Sequence, residues 1–411
     1  MSEHESAGPR VLPFANVRVV DLSHAGAGPF ATLQLADLGA EVIKVERPIH
    51  GDGSRAFGKK LRSDGISDYF AALNRNKSSV VVDFSKPAGS DLVRSLIDTA
   101  DVVIENFRPG VLARYGLDFE SVIATRPQVI YCSISAFGST GPWVEDGGND
   151  ITLQGLSGLM AATGNGDGVP IKVGAPICDL TTGLYAALAI ASALAARGSD
   201  AGPQKIEVPM LDSTVSLMCS YVPSVAEGGD IPTSHGTGHA QIVPYQAFEC
   251  SDGQYLIVGA FSNRFWRELC AALDMSELLE RPEFKSNEGR VEHRDELVPL
   301  FEAAFLLHTR DEWLETLEGT NIPCSPVLNI GEAIVSEQAL HNEVLYQVGH
   351  GDRAVSVIRT PIRNSQWPRR DDTPPPLLGE QTRTVLTKEL GMDDEEIDQL
   401  IQAHIVECLD D

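Results

Sequence analysis

Short apolar runs alternate with helical stretches along the first half of the chain. The predicted strands are VRVVDLS (17–23), EVIKVER (41–47), SVVVDF (79–84), DVVIENF (101–107), QVIYCSIS (128–135) and QKIEVPM (204–210). Helices are predicted over PFATLQLADLGA (29–40), around GSDLVRSLIDTA (89–100) and on to about Thr125. This alternation predicts an α/β fold with a doubly wound, mostly parallel, Rossmann-like sheet, whose ligands bind near the carboxyl ends of its strands.

The composition changes at about residue 220, which predicts a domain boundary. Residues 221–244 are rich in Gly, Pro and polar side chains and are predicted to form a linker with a Gly-rich loop. A smaller α+β domain is predicted over 245–330, opening with a hairpin that turns at Asp252-Gly253. Residues 1–220 therefore form the first part of a large domain, and 331–411 are expected to return to it and to end in a helix.

One long apolar helix is predicted within GAPICDLTTGLYAALAIASALAARG (174–198), and Asp179 is the carboxylate at its head. The helix is Ala-rich and falls short of the strongly apolar residues that a membrane span needs, so we expect a buried helix and no membrane association. Asp179 has two compatible roles at this point. It can cap the helix, which is typically worth ~1 kcal/mol, and it can act as a nucleophile.

The charge distribution points to a small anionic ligand and away from nucleic acid. The net charge is −26, whereas contacts with phosphate backbones need a basic face. Between Lys44 and Lys77, however, eight basic residues stand against four acids. This basic window predicts a small polyanion as ligand, with a charge run of no functional meaning as the alternative.

Neither a metal nor a disulfide framework is expected. The seven cysteines are scattered and form no C-x-x-C pair, and His235 and His239 lie on a Gly-rich loop without a third ligand nearby. The N-terminal MSEHESAGPR has neither a basic region nor an apolar one, so we predict no secretory signal and a cytoplasmic location.

The first strand-to-helix turn suggests a competing function. Gly26-x-Gly28-x-x-Ala31 follows a strand, and Glu46 near the end of the next strand stands where a ribose-binding acid would lie. The polar residues Asp21 to His24 separate these glycines from the apolar strand, and Arg47 directly follows Glu46. An NAD(P)- or FAD-binding oxidoreductase is therefore a remote alternative.

Taken together, the motifs resemble those of the class III CoA-transferases, a family that includes formyl-CoA transferase, carnitine CoA-transferase and α-methylacyl-CoA racemase. The resemblance covers nearly the whole chain. The matching stretches include VRVVDLSHAGAGPFATLQLADLGAEVIKVERP, GDGSRAFG, YFAALNRNKSSVVVDF, ADVVIENFRPGVLARYGLD, ISAFGSTGPW, GAPICDLTTGLYA, NIPCSPV and PLLGEQTRTVL. It implies an interlocked homodimer, coenzyme A bound as acyl-CoA, a small carboxylic acid as second substrate, and no metal or redox cofactor.

The resemblance also implies the site residues. Asp179 matches the catalytic carboxylate, which attacks the thioester to give a mixed anhydride and then an aspartyl-CoA thioester. We expect the helix start to keep Asp179 ionised at neutral pH. The positions implied for CoA binding are Gly26, Ala27, Arg47, Asn74, Arg75, Asn76, Lys77, Asn106, Phe107, Arg108, Arg114, Asn149 and Asp150. Gly236 and Gly238 match an active-site loop whose glycine run is longer in the family.

Racemisation is the main alternative within this family. Racemases resembling this chain carry a GHD motif, in which His and the catalytic Asp exchange protons on opposite sides of an α-carbon. Here the motif is GGND, with Asn149 before Asp150, and an amide cannot shuttle a proton. We therefore predict a CoA-transferase. The sequence does not identify the acids, and small dicarboxylates such as succinate are suggested only by the family. Formyl-CoA transferase is less supported because it has Gln where this chain has Gly26.

Overall fold

The computed structural model describes residues 11–60, 64–198 and 202–409. The N-terminal residues used to predict the absence of a signal, and Arg62 of the basic window, lie outside the described residues.

Seven strands form one large sheet. They are β1 (Arg18–Asp21), β2 (Glu41–Glu46), β3 (Lys77–Val82), β4 (Val102–Glu105), β5 (Ile130–Ser135), β6 (Gln204–Pro209) and β12 (Val406–Glu407). Their order is β12-β3-β2-β1-β4-β5-β6, and every pair is parallel except β12 with β3. The predicted α/β fold on mainly parallel strands is confirmed. The direction of winding reverses between β1 and β4, which is where such sheets bind ligands.

Helices cover both faces of this sheet. The α-helices of the described chain are α1 (Ala27–Asp37), α2 (Asp68–Leu73), α3 (Pro87–Asp98), α4 (Phe119–Val122), α5 (Asp150–Leu156), α6 (Leu159–Thr163), α7 (Ile177–Ala196), α8 (Met210–Val215), α9 (Val222–Ala226), α10 (Asn263–Ala272), α11 (Asn287–Glu292), α12 (Arg294–Phe305), α13 (Arg310–Leu317), α14 (Ile330–Ala333), α15 (Glu337–His341), α16 (Thr382–Leu390) and α17 (Asp394–Gln402). Short 3-10 helices occur at Gly53–Ala56, Leu112–Tyr115, Ser216–Met218, Ser276–Glu280, Pro282–Phe284 and Gly351–Arg353.

The two faces of the sheet contribute to separate apolar cores. Val20 packs in a core with residues of α3 and α16, whereas the adjacent Val19 packs with residues of α1 and α7. Successive side chains of a strand point to opposite faces, so a strand buried on both sides is apolar without interruption. This explains the continuous apolar runs in the sequence.

The chain folds into two compact units. The first comprises the described residues within Met1–Ser157, Gly174–Met218 and Leu340–Asp411, and the second comprises Gly158–Val173 and Cys219–Ala339. In the second unit, β7 (Tyr245–Glu249), β8 (Tyr255–Gly259) and β9 (Cys324–Pro326) form an antiparallel sheet. The predicted hairpin at Asp252-Gly253 is confirmed. The first unit has a further hairpin, β10 (Leu345–Val348) with β11 (Val355–Ile358).

A glycine allows α7 to approach α1 closely. A Cβ atom on Gly183 would lie 2.7 Å from the carbonyl oxygen of Ala27, so a side chain there would push the helices apart. Ala186 and Ile190 continue the same buried side of α7. By length and composition α7 could also cross a membrane. The contact at Gly183 fixes the second turn of α7 beside the first turn of α1.

Candidate active site

Asp179 does not cap its own helix. The N-cap of α7 is Pro176, and Asp179 is the third helical residue. The interpretation of Asp179 as a cap is therefore wrong. Asp150 supplies the missing acceptor, since its Oδ1 accepts a hydrogen bond from the Cys178 N–H at 2.8 Å and its Oδ2 accepts one from Gln154 Nε2 at 2.7 Å. A carboxylate on α5 thus satisfies a first-turn donor of α7, one of those that a helix leaves without an internal partner.

The carboxylate of Asp179 lies against Gly26, the residue that precedes α1. A Cβ atom on Gly26 would lie only 2.3 Å from Asp179 Oδ2, so glycine is the residue that this approach allows. Across residues 11–60, 64–198 and 202–409, no hydrogen bond or ion pair engages the carboxylate of Asp179. Its oxygens are therefore available to a reactant.

Burial, together with the nearby charge of Asp150, raises the pKa of Asp179 to about 7. This differs from the expectation that the helix start keeps the group firmly ionised. The helix dipole typically contributes 0.3–1 kcal/mol, whereas removing a carboxylate from water and placing it beside a second one shifts the equilibrium much further. At neutral pH both protonation states of Asp179 are populated.

Tyr69, in the first turn of α2, is a site residue that the sequence analysis missed. Burial and the charges of Asp179, Asp150 and Asp52 raise its pKa to about 12, so the phenol stays protonated and can donate a hydrogen bond. Helix α2 begins at Asp68 because the Ser67 side chain accepts a hydrogen bond from the Phe70 N–H. The run that contains Tyr69 reads as an ordinary helix start, and nothing local in it signals a nearby carboxylate.

The turn between β1 and α1 is fastened to the end of β4. Asn106 Oδ1 accepts a hydrogen bond from the His24 N–H at 2.9 Å, and Asn106 Nδ2 donates to the His24 carbonyl at 2.7 Å. The His24 ring also lies beside the ring of Phe107, with centroids 5.2 Å apart. Predicted site residues from β4 and from the first turn are thus brought together at the point where the direction of winding reverses.

A cavity of about 460 Å³ lies beside this turn. Its walls are Leu22, Ser23, His24, Lys44, Val45, Glu46, Arg47, Gly51, Asp52, Gly53, Phe84 and Phe107. Arg47 is exposed and donates one hydrogen bond, from Nε to the Gly51 carbonyl at 3.0 Å. The cavity therefore combines aromatic walls with an accessible guanidinium group, a pairing suited to a base and a phosphate.

The model of CoA-transferase family III matches residues 14–382. The chain belongs to this family. It is 37% identical to a succinyl-CoA:glutarate CoA-transferase of Mus musculus, over 96% of this chain and 90% of the relative. It is 36% identical to a succinate–glutarate CoA-transferase of Agrobacterium fabrum, over 92% and 96%. The crystal structure of a CAIB/BAIF family protein from Brucella suis superposes with a TM-score of 0.84 at 35% identity, covering 93% of this chain and all of that one.

Much of the basic window of this CoA-transferase is used internally. The Arg75 guanidinium pairs with the carboxylate of Asp37, and the Asn76 amide donates to the same carboxylate. Lys77 Nζ donates to the Pro29 carbonyl and to Asn74 Oδ1, both at 2.9 Å. The side chains of this segment, Asn74 to Lys77, are buried, so the excess of positive charge in the sequence overstates what a ligand can meet.

Other predicted CoA-binding residues lie at the surface. Arg108 and Arg114 are exposed. A Cβ atom on Gly147 would lie 2.7 Å from a guanidinium nitrogen of Arg108, which places Arg108 beside the GGND segment. Asn149 caps α5, because its side chain accepts a hydrogen bond from the Thr152 N–H at 3.2 Å while the Thr152 hydroxyl accepts one from the Asn149 N–H.

The predicted loop glycines belong to the second unit. Gly236 has a φ of +62°, which favours glycine, and its N–H donates to Ser234 Oγ at 3.2 Å. Ser234 Oγ donates in turn to the Thr163 carbonyl at 3.0 Å, and the Gly238 N–H donates to the His235 carbonyl at 2.9 Å. The HGTGH loop thus packs on the segment Gly158–Val173.

Proposed function

We propose that this CoA-transferase moves CoA between carboxylic acids through covalent intermediates on Asp179. The observation that carries the proposal is the free carboxylate of Asp179 at the start of α7, pressed against Gly26 and unused by the described chain. A carboxylate with a pKa near 7 is a stronger nucleophile than an ordinary one, yet half of it is still ionised at that pH.

The reaction balances without any other cofactor. An Asp179 oxygen attacks the thioester carbonyl carbon, the C–S bond breaks, and a mixed anhydride and CoA thiolate result. The thiolate attacks the aspartyl carbonyl, which releases the donor as its carboxylate and leaves an aspartyl-CoA thioester. The acceptor carboxylate attacks this thioester to form a second anhydride, and the returning thiolate takes the acyl group and frees Asp179. No net proton is consumed.

The start of α1 would stabilise the negative charge that develops on the reacting carbonyl oxygens. The first N–H groups of a helix have no partner within the helix and carry its positive end. Gly26 and Ala27 stand at this end of α1, and Asp179 lies against Gly26. Donors already in place where negative charge develops need no reorganisation during the reaction. The neutral Tyr69 phenol is a further donor for the same charge.

The CoA nucleotide is proposed to occupy the 460 Å³ cavity beside the first turn. Arg47 would meet its phosphates, and His24 with Phe107 would provide an aromatic wall. Arg108, Arg114, Asn149 and Asp150 remain proposed contacts of CoA or its thioester. For the buried segment Asn74 to Lys77 the proposed role is to hold the backbone around α1 and β3, because its side chains are engaged with the protein.

The acids are proposed to be small dicarboxylates, as in the names of the succinate and glutarate transferases that this chain resembles. The experiment is a matrix of acyl-CoA donors and carboxylate acceptors, with new thioesters identified by mass spectrometry. Transfer between succinyl-CoA and glutarate is the expected activity. A 2-methylacyl-CoA in deuterated water should keep its α-proton, because Asn149 is an amide that caps α5 and cannot return a proton. Rapid α-exchange would favour the racemase alternative.

A second copy of the chain is the proposed partner of α7. Leu184 and Leu188 are 53% and 62% exposed, and Tyr185 beside them is 43% exposed, so one side of this apolar helix is uncovered. Exposed apolar surface of this kind marks a protein interface. Three features stay predictions: the homodimer, the loop of Gly236 and Gly238 as an active-site cover, and the cytoplasmic location. Light scattering after gel filtration tests the first of these.

The covalent mechanism is tested at Asp179 with a matched control. Asp179→Asn keeps the shape of the side chain but cannot form the anhydride, so transfer should be lost while CoA still binds. Asp212→Asn changes the third residue of α8, the same helical position on an exposed side chain, and should remain active. Hydroxylamine added to the wild type with acyl-CoA should convert Asp179 to its hydroxamate. Normal turnover by Asp179→Asn, or trapping at Asp150, would refute the mechanism.

A further inference from the structure

A buried ion pair is hydrogen-bonded to the turn between β1 and α1. Lys44 on β2 and Asp52 are at most 1% exposed in their side chains, and Lys44 Nζ lies 2.8 Å from Asp52 Oδ2. Lys44 Nζ also donates to the Ser23 carbonyl at 2.8 Å, and Asp52 Oδ1 accepts from the Ala25 N–H at 3.0 Å. The two members of one ion pair therefore each fix one residue of the turn.

The backbone conformation of Ala25 requires hydrogen bonds of this kind to hold it. Its φ is +64°, in the left-handed region where the Cβ atom of an L-residue approaches a carbonyl oxygen. A non-glycine residue persists there only when its surroundings hold it. Asp52 accepts a hydrogen bond from the Ala25 N–H, and Asn106 bonds both backbone groups of the preceding residue, His24.

The conformation of Ala25 sets the position of the next residue. Gly26 is in contact with the Asp179 carboxylate, and the first N–H groups of α1, which have no partner within the helix, follow it. If Ala25 relaxed to an ordinary φ, the chain direction at Gly26 would change, and these donors would move relative to the carboxylate. A displacement of about 1 Å at a reacting centre can cost 10²-fold in rate.

We propose that Asp52, together with Lys44, is a positioning residue of the transfer reaction, which fixes the left-handed Ala25 and thereby the distance between the start of α1 and Asp179. This inference rests on the function proposed above. It assigns a role in the chemistry to two residues that touch no reacting atom.

A direct role of Asp52 in binding CoA is the competing interpretation, because Asp52 also lines the 460 Å³ cavity. Its oxygens are already engaged, however. Oδ1 accepts from the Ala25 N–H and from the N–H and hydroxyl of Ser54, both of the latter at 2.8 Å, and Oδ2 faces Lys44. A positioning residue should affect kcat, whereas a ligand contact should affect the affinity for CoA.

The experiment compares Asp52→Ala with the double variant Asp52→Ala/Ala25→Gly. We expect Asp52→Ala to lower kcat by about 10- to 100-fold while calorimetry shows little change in the Kd for CoA. Glycine adopts positive φ without strain, so Ala25→Gly should restore part of kcat in the Asp52→Ala background. Asp52→Asn keeps the Oδ1 acceptor for Ala25 and should fall between wild type and Asp52→Ala, which provides a second variant should Asp52→Ala fold poorly.

Glu389→Ala is the control for a general loss of stability. Glu389 is 7% exposed in its side chain and pairs with Arg18 at the amino end of β1, away from the turn at its carboxyl end. When Glu389→Ala and Asp52→Ala are compared at the same folded fraction, Glu389→Ala should keep the wild-type kcat. A raised Kd for CoA with unchanged kcat in Asp52→Ala, or no recovery on adding Ala25→Gly, would overturn the positioning role.

Trapping with hydroxylamine separates this inference from the function on which it rests. If the wild type yields no Asp179 hydroxamate, the covalent mechanism itself fails. If the wild type yields it and Asp52→Ala forms it at the wild-type rate, only the positioning role fails. The expected result is an Asp179 adduct in both proteins that forms more slowly in Asp52→Ala.

Discussion

Replacing Asp179 by Asn should stabilise the folded protein at alkaline pH. The side chain has no hydrogen bond to lose in the described chain, and Asn has nearly the same shape. In the wild type, burial and the charge of Asp150 raise the pKa of Asp179 from 3.8 to about 7. A carboxylate with a raised pKa destabilises the native state once it must ionise, and an amide is free of this penalty.

The sign and size of the effect follow from proton linkage. Well below pH 3.8 the group is protonated in both states and contributes no ionic penalty. As the pH rises, the unfolded chain releases its proton first, so the native state loses relative stability until the pH passes about 7. The difference between 3.8 and about 7 corresponds to an upper limit of ~4 kcal/mol. Because Asp179 is partly exposed, solvent screening reduces this to about 1–2 kcal/mol.

The helix dipole acts in the opposite direction. A negative charge in the first turn of α7 gains typically 0.3–1 kcal/mol, which the Asn variant loses. Burial is the larger effect, so a net stabilisation should remain at about pH 8.5 and should shrink to about a quarter of its full size near pH 4.5.

The assay is urea unfolding of wild type and Asp179→Asn at both pH values and one protein concentration. Asp212→Asn, at the equivalent position of α8, gives the background for an exposed first-turn carboxylate. A gain that is the same at both pH values would assign the effect to packing. No gain at about pH 8.5 would refute the argument that burial controls the ionisation of Asp179.

Three further substitutions test the site. Gly26→Ala would place a Cβ 2.3 Å from Asp179 Oδ2, so the rate of transfer should fall sharply and the free energy of unfolding should drop by about 1–3 kcal/mol. The control is Gly198→Ala at the far end of α7, where a Cβ meets nothing within 4 Å. This control should change neither the rate in the transfer assay nor the stability in urea unfolding. Asp150→Asn removes a charge that raises the pKa of Asp179 and should shift the alkaline rise of kcat/KM for acyl-CoA to lower pH, and an unmoved profile would contradict this electrostatic coupling. Arg47→Ala should raise KM for acyl-CoA with little change in kcat, and an unchanged KM would remove Arg47 from the CoA site.

The alternation of apolar strands and helices determined the architecture from the sequence. A buried strand repeats the same local signal over several residues, as Val19 and Val20 do in facing two different cores. The motifs likewise pointed to Asp179 and to the family, because each motif is a contiguous stretch of sequence. The order of the motifs can also be read without knowing how the chain packs. These features depend on neighbours along the sequence, which a sequence displays directly.

The chemistry of the site was decided by tertiary contacts. Asp150 caps α7 from another helix, 28 positions before the Cys178 N–H that it accepts, and Gly26 matters because α7 returns to it. The basic window looked like a ligand site until Lys44 and Lys77 proved to be buried among carboxylates and carbonyls. Burial and the distance between charges control ionisation, and both depend on segments far apart in the chain. The sequence could therefore point to Asp179 as the proposed nucleophile, but not to its pKa, its unoccupied oxygens or the turn beside it.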